Sequence, residues 1–295
     1  MSHLAVPKTY KLFIGGAFPR SESGRTYQAR DNQGNFMANA ALASRKDLRD
    51  AVVAARKGSS AWSKATAYNR GQVIYRIAEM LEGRSSEFVE LIMISTGAST
   101  KIASAEVDAA IDRLVHYAGW TDKLAAVLGS ANPVSSPYFS YSAPEPTGVV
   151  GILAPASSPL LGLISVIAPV ITGGNACIVI GAEPDPCVAI TFAEAVATSD
   201  VPAGVINILT GRMSELAPHL AAHADVNALD LTGAESELRT SLERSAAETV
   251  KRVYVPKGVP DFTAAPGIAR LRAFLEIKTV WHPTGALSLS GGTSY

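Results

Sequence analysis

From residue 147 onward, short apolar runs alternate with longer stretches of helical period. GVVGIL (148–153), ACIVI (176–180), GVINIL (204–209) and ALDL (228–231) read as strands, and RVYV (252–255) closes the series. Helices are predicted between them over 159–172, 186–198, 213–222 and 235–247. Strands that are apolar almost throughout are those buried on both faces. The alternation therefore predicts an α/β fold with a doubly wound, Rossmann-like parallel sheet and right-handed crossovers.

The first third follows a different rhythm. KLFIGG (11–16) reads as a strand ending in a turn, part of a short hairpin. Ser44, with Asp47 three residues on, has the form of a helix start, and Leu48, Ala51, Val52 and Ala55 recur behind it at helical spacing. Val73, Ile74, Ile77, Ala78 and Leu81 mark a second amphipathic helix; Phe88, Leu91, Ile92 and Ser95 mark a third that stops at Gly97. One long helix is predicted over 102–128, with Val107, Ile111, Leu114, Val115 and Ala118 on one face. All these stripes read as core packing.

Two stretches leave the pattern. Residues 129–146 lose the helical period, and PYFSYS (137–142) alternates as an extended strand with proline on both sides. Proline suits edges rather than sheet centres, so this strand leaves the core. After 255 the turn-rich PKGVPDFTAAPG leads to a short helix over 268–274. A strand follows (FLEIKTVW, 274–281), in which Leu275, Ile277, Thr279 and Trp281 alternate with Glu276 and Lys278. The expected organisation is one Rossmann-like domain from 1–134 and 147–258, strands outside its core at 135–146 and 268–282, and a flexible tail at 283–295.

Composition narrows the function classes. Among 295 residues, 26 basic and 26 acidic side chains balance, which argues against nucleic acid or an anionic membrane surface as partner. The N-terminus lacks a signal-peptide core, and the most apolar run, 147–174, is broken by proline and glycine. A soluble cytoplasmic protein is expected. The two cysteines, Cys177 and Cys187, have neither metal nor redox spacing. Cys177 reads as a buried, inert thiol, whereas Cys187 at a helix start could have a lowered pKa. His219 and His223 stand four apart without a third ligand, so no metal site is expected.

In an open parallel sheet, ligands sit past the carboxyl ends of the strands. Those ends are predicted at 154–158, 181–183, 210–211 and 232–234. Ser157 and Ser158 read either as anion contacts or as caps of the helix behind Pro159. Glu183 reads either as an acceptor for ribose hydroxyls or as a solvated acid. No glycine-rich phosphate loop and no nucleophile elbow follows any strand.

The order of the motifs resembles the aldehyde dehydrogenase superfamily from residue 10 to 251, resuming near 274–281. The motifs include KLFIGG, HYAGWTDKL, EPTGVVGILAP, VPAGVINILTG and HADVNALDLTG. The resemblance implies NAD(P) at the strand ends, with Ser157, Glu183, Thr232 and Gly233 as the vestigial cofactor positions. It also exposes departures. The family's P-W-N-F-P turn is here Pro155-Ala156-Ser157-Ser158-Pro159, with Ser157 where an asparagine would hold the oxyanion. Losing such a donor costs on the order of 10²–10³ in rate. The lysine of K-P-A-E is replaced by Gly181, and F-T-G-S-x-x-x-G becomes 231–238, with Glu235 and Glu237 at the helix start and Leu238 for the last glycine. The E-L-G-G-K segment, its glutamate and the catalytic domain carrying the nucleophilic cysteine have no counterpart; no cysteine follows Cys187. Without that thiol, no catalytic residue is assigned and no cofactor is expected, NAD(P) remaining the alternative.

In the family, the strands kept here pack against the neighbouring subunit's catalytic domain. The resemblance therefore implies a noncatalytic subunit joined to a full-length aldehyde dehydrogenase through Tyr138, Phe139, Tyr141 and Leu275, Ile277, Thr279, Trp281, with a structural or regulatory role. The alternatives are an NAD(P)-binding protein or oxidoreductase, and a self-assembling scaffold.

Overall fold

A computed structural model describes residues 8–284. Three strands open the fold: β1 (Thr9–Tyr10), β2 (Thr26–Arg30) and β3 (Phe36–Ala41), in the order β1-β3-β2. Residues 11–16 are not a hairpin strand of this sheet. Phe13 exchanges backbone hydrogen bonds with Ile208 (2.9 and 2.8 Å), extending the edge of the main sheet. The true hairpin, β2–β3, escapes the sequence because TYQAR and FMANAA are alanine-rich and only half-buried, which blurs their alternation.

Four longer helices follow: α1 (Arg45–Trp62), α2 (Ala67–Glu82), α3 (Ser85–Thr96) and α4 (Thr100–Ala118). Ser44 and Asp47 form a complete capping box on α1, and Gly97 ends α3 in the left-handed region (φ 75°), as the sequence indicates. The single helix expected over 102–128 is instead α4 and the short α5 (Leu124–Leu128). Gly119 caps α4, and the buried Thr121 turns its hydroxyl back onto Ala118 O at 3.0 Å, breaking the ladder. Apolar period alone carries no sign of that turn.

The remainder comprises β4 (Ser130–Asn132), β5 (Tyr138–Pro146), β6 (Val149–Leu153), α6 (Leu161–Thr172), β7 (Ala176–Ile180), α7 (Pro186–Ala197), β8 (Ile206–Leu209) and α8 (Met213–Ala222). Then come β9 (Ala228–Asp230), α9 (Ser236–Ala247), β10 (Arg252–Tyr254), α10 (Ala269–Ala273) and β11 (Leu275–Pro283). The main sheet is parallel, in the order β10-β9-β6-β7-β8. Val150, Ile152, Cys177 and Val179 point to one core, shared with α4, α6 and α7. Val149, Leu153, Ile178 and Ile180 point to the other, under α1, α8 and α9. Burial on both faces is why these strands read as unbroken apolar runs. Trp62, 2% exposed, ties α1 to α6 through Nε1 and Ile171 O at 2.9 Å.

The third sheet has the order β11-β5-β4. β5 and β11 pair antiparallel along nine residues each, rooted where Thr147 N and Asn175 Nδ2 both donate to Phe274 O. The expected tail begins inside this sheet: Pro283 ends β11 and Thr284 N donates to Pro137 O. The rest of it, 285–295, lies outside the described residues. Among the described residues no helix is long and apolar enough to cross a membrane.

Candidate functional site

β6 leads to β7 on one side, while β9 returns to its other side, so the order of the main sheet reverses between β6 and β9. That is the place where an open α/β sheet offers a crevice. Here the turns after β6 and β9 meet backbone to backbone at its base. Gly233 N donates to Leu153 O at 2.9 Å, and a Cβ on Gly233 would stand 2.1 Å from Ala154 O. Only glycine allows the two turns to touch in this way.

The turn after β6 carries the exposed Ser157, and Ser158 in the left-handed region (φ 54°). Neither serine caps α6. The cap comes from another helix: Glu106 of α4 accepts from Leu160 N at 3.0 Å and Leu161 N at 3.2 Å through one carboxylate oxygen. The positive end of α6 is thus already matched by a carboxylate, so an anion placed there would meet like charge. Burial raises the pKa of Glu106, while those two amides hold it down. The turn after β7 places Glu183 in solvent, its carbonyl accepting from Tyr27 Oη at 3.4 Å. Asp185 beside it is buried, and its pKa is raised by that burial.

Thr232 is committed to the protein. Asp230 Oδ1 accepts from its amide at 3.0 Å and from its hydroxyl, and Arg270 donates to the same hydroxyl at 2.9 Å. Arg270 is also ion-paired with Asp230 Oδ2 and lies over the ring of Tyr254, 4.4 Å from its centroid. At the next helix start, Glu235 is the N-cap of α9 without a side-chain bond, and Glu237 lies in its first turn. A pyrophosphate at the start of either helix would therefore face a carboxylate, and of the four positions singled out from the sequence Ser157 and Glu183 are exposed, Gly233 is half-buried and Thr232 is buried.

The thiols are closed off as well. Burial pushes Cys177 up to about 12 and Cys187 to about 11. The lowered pKa considered for Cys187 does not arise, because desolvation outweighs its place at the start of α7. At pH 8 a thiol of pKa about 11 is roughly 0.1% thiolate, against about 24% at 8.5. Iodoacetamide is therefore expected to label the native protein at least about 200-fold more slowly than the urea-unfolded chain. Rapid native labelling of either cysteine by mass spectrometry would contradict this. His219 on α8 and His223 at its end border a cavity of about 570 Å³ with Glu22 and Arg45. No group of three metal-binding side chains occurs among the described residues.

Beyond β10, residues 256–268 form a strap across this end of the fold. Phe262 is buried in it, close to Pro155 and Gly162 of the turn and helix after β6. Arg113 of α4 holds the strap by donating to Phe262 O at 2.6 Å and Ala264 O at 3.0 Å. Arg113, Glu106, Asp230 and Arg270 were not legible from the sequence, where each reads as a charge flanking an apolar stripe.

In the third sheet, paired residues share a face. Tyr138, Ile277, Thr279 and Trp281 lie on one, with Tyr138 and Trp281 edge to face at 6.0 Å. Phe139, Tyr141 and His282 stack on the other. Trp281 is 56% and Phe139 50% exposed, whereas Leu275 is buried at the root.

A parallel, doubly wound sheet carrying a three-stranded antiparallel arm defines the class of fold. The aldehyde dehydrogenase family profile matches residues 19–264, and the chain belongs to that family. It is 30% identical over 262 residues to cytosolic 10-formyltetrahydrofolate dehydrogenase of Mus musculus, a match that takes in 86% of this chain and 29% of that protein. Among solved structures, HpcC from Thermus thermophilus superposes with TM-score 0.78 at 30% identity, over 83% of this chain and 47% of that one. The NAD+ complex of an aldehyde dehydrogenase from Bacillus cereus superposes with TM-score 0.77 at 26% identity, over 83% and 50%. The chain thus spans half or less of the length of these proteins.

Proposed function

We propose that this chain is a noncatalytic aldehyde dehydrogenase-like subunit that joins a full-length aldehyde dehydrogenase in a hetero-oligomer, with a structural or regulatory role. The observation that carries this reading is the arm. β5 and β11 hold aromatic side chains in solvent on both faces, and a solvent-facing strand edge is sticky unless something covers it. Sheet extension by a partner strand would cover it. The noncatalytic half of the reading is supported by the two buried thiols, neither placed to serve as a nucleophile.

The test is co-expression with a tagged full-length aldehyde dehydrogenase from the same cell. The two are expected to elute together, and the double replacement Ile277→Asp with Trp281→Asp is expected to cut the recovered chain at least about tenfold, since charges then sit in an apolar contact. Separate elution, with this chain assembling on itself, would instead favour a scaffold. Oxidation of an aldehyde by this chain alone would end the noncatalytic reading. A second reading, a retained NAD(P) site at Ser157, Glu183, Thr232 and Gly233, has in its favour the open Ser157 and Glu183. Micromolar affinity for NAD+ would establish it.

A further inference from the structure

Arg113 carries a charge that its neighbours do not compensate. It is 8% exposed, and its acceptors are all neutral: the carbonyls of Phe262 and Ala264, and Ser165 Oγ at 3.2 Å. Tyr117 and Arg270 lie near it, and among the described residues no carboxylate stands within ion-pair distance. Arg270 is matched by Asp230; Arg113 has no such match among the described residues. Those bonds use three of a guanidinium's five N–H groups, leaving the Nε–H and one Nη1–H. A buried charge is ordinarily paired, because leaving it alone costs several kcal/mol.

Arg113 also lines a cavity of about 390 Å³ bounded by α4, α6, the end of β10 and the strap. The cavity is of a size that holds small organic ligands. Lys257 stands on its exposed rim, and Tyr254, Pro256 and Pro260 give it apolar walls. Three cations (Arg113, Lys257 and Arg270) face two carboxylates, Asp261 in the wall and Asp230 behind Arg270, which leaves one positive charge.

We propose that this cavity binds a small organic monocarboxylate, its carboxylate on Arg113 and Lys257 and its apolar part against Tyr254, Pro256 and Pro260. One net charge and mixed walls favour a monoanion with an apolar body over a compact dianion, which would carry excess charge into a half-apolar space. A guanidinium offers a carboxylate directed, charge-assisted donors. The site shares no residue with the strand-end positions considered for a dinucleotide and does not depend on a partner subunit.

The probe is sodium benzoate, titrated calorimetrically into the full chain at constant ionic strength, with benzamide as its uncharged counterpart and inorganic phosphate as a dianion. Benzoate is expected to bind one to one and to saturate below about 10 mM, with benzamide and phosphate each at least about tenfold weaker. Replacing Arg113 would also release the strap and could unfold it, so the variant is Lys257→Met on the exposed rim. It should weaken benzoate about five- to tenfold with an unchanged melting temperature. Equal binding of benzamide, stronger binding of phosphate, no benzoate heat, or indifference to Lys257→Met would each overturn the proposal.

Discussion

Asp230→Ala is expected to lower folding stability by about 3–5 kcal/mol, a large share of the roughly 5–15 kcal/mol available to a domain. Asp230 is wholly buried, and its two oxygens serve Thr232 and Arg270. Truncation leaves a guanidinium whose side chain is 11% exposed with no counter-charge, and strips the Thr232 amide of its acceptor. The cost is that of the orphaned charge more than of the lost pair. The double replacement Asp230→Leu with Arg270→Met is therefore expected to recover most of it, since an apolar pair removes the desolvation penalty together with the attraction. Urea denaturation reads both variants. A double variant as unstable as the single one would mean that the pair itself, and not the unmatched arginine, governs this corner of the fold.

The second large effect lies in the strap. Phe262→Ala is expected to weaken the closure of the strap by about 3–5 kcal/mol, the usual range for emptying a buried aromatic site. The ring fills the space beside Pro155 and Gly162, and its own carbonyl is one of the two that Arg113 holds. Losing the ring loosens the strap first, because Phe262 is its buried side chain and Arg113 its side-chain tether, with Ile268 half-buried against the core at its end. Proteolysis within the strap should then accelerate by at least about 100-fold, which corresponds to roughly 3 kcal/mol of easier local opening. Global unfolding should shift less than the proteolysis rate. Unchanged cleavage would show that the strap is held by other contacts.

What could be read in advance is what local physics writes into consecutive residues. A strand buried on both faces must be apolar throughout, so the β6, β7 and β8 runs announced the parallel sheet and its helical crossovers. Ser44 with Asp47, and Gly97 in the left-handed region, marked helix ends because a cap acts within four residues. The alternation in 137–142 and 274–281 gave the arm, though not which residues of the two strands stand side by side on a face, which depends on register. The break after α4 and the hairpin β2–β3 escape the sequence because the periodic signal there is either uninterrupted or too faint.

The chemistry of the strand ends was decided elsewhere. Glu106 caps a helix 54 residues away, Arg270 meets an acid 40 residues before it, and Arg113 holds a carbonyl 149 residues beyond it. Each is one of several charges beside an apolar stripe, with nothing nearby in sequence to name its partner. The chain by itself determined the layers, the capped helices and the protruding strands, through hydrophobic period and short-range hydrogen bonding. Only the tertiary structure decided which charges are matched, that Cys187 joins Cys177 in titrating out of reach, and which guanidinium is left over, because pairing and desolvation are properties of neighbours in space.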